Sequence, residues 1–181
     1  MFTPENTVLL VVDIQGKLAT QVHDHSKLLK NIQGMIKGAQ ILDIPILWTE
    51  QAPEKIGPTI PEIASLLSSL KLSPITKVSF SCCGSNTFME ELKFLNRKQI
   101  LLVGIETHVC VYQTAVDLIE AGYEVQVIAD CVSSRTLENK NLGIDRMQAR
   151  GAGITSLEMI ACELIRTSQH FQFKDILSLI K

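Results

Sequence analysis

Three residue types that can share one acyl-transfer reaction stand far apart in this chain of 181 residues: an acid at Asp13, an amine at Lys77 and a thiol at Cys110. Together they could do nucleophilic chemistry, in which the thiol attacks, the carboxylate takes its proton, and the ammonium stabilises the anion and biases the thiolate. Each also has a plain reading alone. Asp13 could cap backbone N–H groups in a loop, Lys77 could be a solvated strand end, and Cys110 could be a small buried apolar residue, the usual fate of a free cysteine. The readings separate on whether the elements bring the three to one edge.

The elements do so on paper. Asp13 ends the run Thr7-Val-Leu-Leu-Val-Val-Asp13, which reads as a central parallel strand. A polar loop over 14–25 leads to a helix from Ser26, its expected cap, to Leu42, with apolar residues at helical spacing. A second strand is expected over 44–49, then a loop over 50–60, a helix from Pro61 to Leu70, and a short third strand over 73–78 that carries Lys77 near its end. A helix over 86–96 precedes a fourth strand over 99–104, which stops at Gly104. Thr107 is the expected N-cap of the following helix, its hydroxyl accepting from the N–H of Cys110. A thiol in a helix's first turn sits in a field that favours the thiolate. The fifth strand is expected over 123–129, a polar loop over 130–135, a helix over 137–150, a sixth strand over 153–155, a helix over 156–168 and a last helical turn or two over 173–180.

This β-α alternation, with no linker and no internal repeat, predicts one domain over residues 1–181: a Rossmann-like three-layer α/β/α sandwich on a mostly parallel sheet. Sites in such folds lie beyond the carboxyl ends of the strands, where Asp13, Lys77 and Cys110 all fall. Composition narrows the class further. The chain is 46% hydrophobic but only 5% aromatic, so its core is aliphatic, and no apolar run reaches the length of a membrane span. The net charge is −2 and the basic residues are scattered, which argues against a nucleic-acid partner. Five cysteines without a C-x-x-C, and no signal-peptide pattern at the N-terminus, point to reduced thiols in the cytoplasm. The adjacent Cys82 and Cys83 read as loop packing. There is no Walker A, H-E-x-x-H or G-x-S-x-G motif.

The segments Val12-Asp13-Ile14-Gln15, Thr76-Lys77-Val78-Ser79-Phe80-Ser81 and Gly104-Ile105-Glu106-Thr107-His108-Val109-Cys110-Val111 resemble the three signature segments of the isochorismatase-like cysteine hydrolases. Glu50-Gln51, Gly57-Pro58-Thr59 and the stretch 129–135 are also similar, so the resemblance runs through nearly the whole chain. It looks closest to small single-domain members of unassigned substrate. The resemblance implies a six-stranded sheet of order 3-2-1-4-5-6 and a catalytic triad of Asp13, Lys77 and Cys110. It also implies a cis peptide between Ile105 and Glu106, with the N–H groups of Glu106 and Cys110 forming an oxyanion hole. Gln15, Gln51, Phe80 and His108 are expected at the substrate pocket, by position only. Leu18 falls where many relatives place a bulkier aromatic residue.

Nicotinamidases carry an acid-and-histidine metal set after the second strand. Residues 49–62 here contain no histidine, and His23 and His25 are too few for a closed site, so no metal and no organic cofactor is expected. The resulting expectation is a homo-oligomeric hydrolase of a small amide-type molecule, working through a thioester. The alternative is a catalytically silent scaffold that keeps the fold. A flavodoxin-like nucleotide binder is disfavoured, because an acid heads the loop after the first strand.

Overall fold

The computed structural model describes residues 1–180; Lys181, the last residue of the expected domain, lies outside them. Six parallel strands, β1 (Thr7–Val12), β2 (Ile46–Gln51), β3 (Ile75–Lys77), β4 (Gln99–Ile105), β5 (Glu124–Ser133) and β6 (Gly153–Thr155), form one sheet of order β3-β2-β1-β4-β5-β6. Period-two alternation splits the central strands between two cores. Leu9 and Val11 of β1 and Leu101 and Val103 of β4 face one layer, while Val8, Leu10, Ile100 and Leu102 face the other. Both faces of β1 and β4 are buried, which is why their sequences are continuous apolar runs.

The first layer holds α2 (His25–Ile41), α4 (Pro61–Ser69), α8 (Leu157–Ile165) and α9 (Phe173–Leu179), through residues such as Ile32, Ile36, Ile63, Leu67, Ile160 and Ile176. The second holds α5 (Asn86–Phe94), α6 (Tyr112–Glu120) and α7 (Leu137–Ala149), through Phe88, Leu92, Ala115, Leu118 and Met147. Two single-turn helices, α1 (Leu18–Gln21) and α3 (Pro53–Ile56), occupy the expected loops after β1 and β2. None of the described helices is long and apolar enough to cross a membrane.

Four local expectations change. Strand β2 runs two residues later than the apolar pattern suggested, because Gln51 at its end pairs with Lys77 of β3. The polar stretch after residue 129 stays in β5: Leu102 pairs with Val127 but Gly104 with Val132, so a bulge carries the strand on to Ser133. Helix α2 starts beyond Asp24, which is left-handed at φ 51°, and Ser26 does not cap it; the Ser26 hydroxyl meets the His25 ring instead. Thr107 is not an N-cap either. Residues Thr107–Val111 form a wide π-helical turn, with the Val109 and Val111 N–H groups both donating to the Glu106 carbonyl, and the buried Thr107 hydroxyl has no partner among the described residues.

Gly104 is fixed by crowding. Its φ is +127°, and a Cβ there would stand 2.1 Å from the Val12 carbonyl oxygen. The close approach of β4 to the end of β1 sets the spacing between Asp13, just beyond β1, and the turn that carries Cys110 beyond β4.

Candidate active site

Four adjacent strand ends, β3, β2, β1 and β4, supply the side chains. Asp13 follows β1 in a left-handed conformation, φ 50°, which a short polar side chain tolerates better than most. Its Oδ1 accepts from Thr49 Oγ1 at 2.9 Å and its Oδ2 lies 2.6 Å from Lys77 Nζ. Strand β3 is two strands from β1, roughly 10 Å at sheet spacing. The lysine stem crosses over the end of β2 to close that gap. Its ammonium also donates to Gln51 Oε1 at 3.1 Å, the Ser79 carbonyl at 3.1 Å and the Phe80 carbonyl at 3.0 Å. The ion pair is almost wholly buried, with side-chain exposures of 0% and 4%. The added acceptors matter, since a buried pair holds only when its remaining donors are satisfied.

Cys110 lies in the π-helical turn after β4, and its thiol donates to Gln51 Oε1 at 3.5 Å. A cavity of about 170 Å³ opens over these groups. Leu18, Ile56, Phe80, Ile105 and Val109 form its apolar wall; Asp13, Gln51, Glu106 and Cys110 supply the polar part. The Ile105–Glu106 peptide is cis. Glu106 is held by its side chain, which accepts from the Arg135 backbone N–H at 3.0 Å and from Arg135 Nε at 3.1 Å. Helix α7 backs the turn closely: a Cβ on Gly143 would come within 2.9 Å of the His108 nitrogen and the Thr107 carbonyl.

Burial pushes the Cys110 thiol well above its ordinary range; the Asp13 charge raises it further, and Lys77 only partly offsets this. The expected thiolate-favouring field is overridden. A first-turn dipole is worth about 0.3–1 kcal/mol, whereas burying an ionisable group can cost about 4–7 kcal/mol. The resting nucleophile candidate is therefore a thiol beside a carboxylate.

Two expected pocket residues are elsewhere. Gln15 is fully buried, and its amide ties backbone together: Nε2 donates to the Gln51 and Gly57 carbonyls at 3.0 and 2.7 Å, and Oε1 accepts from the Gln51 N–H at 2.7 Å. His108 points to Ser134, with Nδ1 2.9 Å from its hydroxyl, and does not line the cavity. Gln51 and Phe80 do line it. Thr49, which orients Asp13, was not singled out by the sequence, since a threonine near a strand end carries no signal of its own. Cys82 is fully buried, its sulfur 3.6 Å from Thr49 Oγ1, and burial lifts it to about 11, the reverse of a reactive redox thiol. His23 and His25 are exposed. Among the described residues no group of three or more His, Cys, Asp or Glu side chains is arranged to hold a metal ion.

The isochorismatase domain model matches residues 7–159. The chain belongs to the isochorismatase family. Mouse isochorismatase domain-containing protein 2A is 36% identical over 179 residues, covering 98% of this chain and 84% of the relative. The solved structure of the MAR1 ribonuclease from Caenorhabditis elegans is 34% identical, with TM-score 0.88 over 99% of this chain and 91% of that one. The nicotinamidase of Staphylococcus aureus, at 19% identity and TM-score 0.75 over 84% and 99% of the two chains, shares the fold. Membership of the isochorismatase family points to a hydrolase.

Proposed function

We propose that this isochorismatase-family chain is a single-domain cysteine hydrolase that cuts the C–N bond of a small amide through a thioester on Cys110, without a metal or organic cofactor. The observation that carries this reading is the buried Asp13–Lys77 pair at a cavity that Cys110 lines. Asp13 takes the Cys110 proton as the sulfur bonds to the acyl carbon, and the carbonyl electron pair moves to oxygen. The N–H groups of Glu106 and Cys110 receive that oxyanion; one such donor is worth about 3–4 kcal/mol of barrier. Asp13 then returns the proton to the nitrogen, and the C–N bond breaks to release ammonia or an amine. Water attacks the thioester, giving a proton to Asp13 and its oxygen to the acyl group; the departing sulfur recovers the proton. Lys77 fixes the carboxylate and balances its charge throughout.

The relative from C. elegans is described as a ribonuclease. A phosphodiester calls for a free cation near its oxygens, and here the Lys77 ammonium is already shared among Asp13, Gln51 and two carbonyls. The amide reading is therefore preferred. The test is a screen of small amides for ammonia release, with intact-mass trapping of the acyl adduct. Cys110→Ala is expected to lose both. Full turnover by that variant, or Cys110-dependent cutting of an RNA oligomer in place of amide hydrolysis, would overturn the reading.

We also propose that the protein works as a homo-oligomer in a reducing, cytosolic compartment. Its five free cysteines support the compartment, and the largely exposed Val78, Phe94 and Phe171 are apolar side chains that a second copy could cover. Light scattering that returned the 20.1 kDa monomer mass at micromolar concentration would refute the oligomer.

A further inference from the structure

Resting on the cysteine-hydrolase reading, we infer that the acyl group this site accepts is neutral and apolar and about the size of a benzene ring. That excludes carboxylate- and phosphate-bearing substrates.

Size comes first. A cavity of about 170 Å³ is close to the engineered apolar cavity of roughly 150 Å³ that binds benzene. Five of its nine lining residues are Leu18, Ile56, Phe80, Ile105 and Val109, so most of a bound acyl group would meet hydrocarbon. Charge decides the rest. The wall carries two carboxyl side chains, Asp13 and Glu106, and among the described residues no lysine or arginine lines the cavity. Lys77 is engaged by Asp13 and three other oxygens, and Arg135, its side chain 60% exposed, gives its Nε to Glu106. A carboxylate on the substrate would leave water for an apolar wall beside two acids, with no cation among the described lining residues. A neutral amide loses far less on entering, since its carbonyl faces the Glu106 and Cys110 N–H groups and its remainder faces the aliphatic wall.

The test uses two thiol reagents of nearly equal size, neutral iodoacetamide and anionic iodoacetate. Each is displaced at carbon by sulfur, releasing iodide and leaving the thiol proton with base. Cys162 is free and exposed and serves as the reference within the same chain. Peptide-resolved mass spectrometry is expected to give an iodoacetamide-to-iodoacetate rate ratio at Cys110 at least ten-fold above that at Cys162. Ile56→Arg places a cation on the rim, at a residue already 41% exposed, and is expected to bring the Cys110 ratio down toward the reference. Equal ratios at the two cysteines in the unmodified chain, or an unchanged ratio in Ile56→Arg, would overturn the inference while leaving Cys110 as nucleophile. If Cys110→Ala keeps full turnover of small amides, the hydrolase reading falls and this inference falls with it.

Discussion

Asp13 does two opposed things to Cys110. In the proposed mechanism it is the base that takes the thiol proton; as a nearby negative charge it holds that proton on sulfur. Asp13→Asn separates them. Turnover is expected to fall by about 10²–10⁴-fold, the usual cost of losing a positioned base. Alkylation of Cys110 by iodoacetamide is expected to move the other way: with the carboxylate charge gone and Lys77 remaining, the thiolate forms at lower pH, so the pH-rate profile shifts to the acid side. Parallel losses in both assays would show that the variant had merely disordered the site. The sequence made Asp13, Lys77 and Cys110 legible because each stands where an apolar run or its following turn ends. Thr49 was not legible, since what it does depends on which strands become neighbours, and the Ser79 and Phe80 carbonyls were not, since the loop after β3 must fold back onto the Lys77 ammonium.

At the scale of elements, the site depends on α7 lying against the turn that carries Cys110. Gly143 permits that approach. In Gly143→Ala the new methyl would press on backbone atoms 2.9 Å away, at Thr107 and His108. The helix itself gains from alanine, by about 1 kcal/mol, which offsets part of the strain. Activity should therefore fall at least ten-fold while Tm moves by no more than about 4 °C, the shift expected for roughly 1 kcal/mol in a chain of this size. Measuring kcat and Tm on the same preparation checks it; lost Tm with intact kcat would mean that the turn does not follow the helix. The elements were largely readable: six strands and the main helices lie near where periodicity put them. The misreadings lie at element ends and in two loops that each hold a single helical turn. Ser26 and Thr107 have the chemistry of caps, but the chain enters each turn at an angle their neighbours impose, and neither is used as one.

Across the whole molecule, buried thiols make the fold sensitive to alkali. Burial lifts Cys82 to about 11 and half-buried Cys83 to about 12, and raises Cys131 and Cys110 well above their ordinary value. Unfolded, all four would ionise near 9.0, the value for a free thiol. A raised folded value gives stability that is complete below about pH 9 and is lost as pH climbs toward the folded values. Tm should therefore be flat between pH 7 and 8.5 and fall steadily from pH 9 to 11, with a shallower fall in Cys82→Ala. An identical slope in that variant would remove Cys82 from the account. The order of the chain settled much of this protein: apolar runs of strand length between helical stretches can bury themselves only as a parallel sheet between two layers, and right-handed crossovers then bring residues 13, 77 and 110 to one edge. Three features were left to the tertiary structure. One is the protonated state of Cys110, because desolvation depends on what covers the sulfur. Another is the use of Gln15 as a backbone tie rather than a pocket wall. The last is the apolar, uncationic cavity, because walls drawn from the loops after four strands exist only once those strands lie side by side.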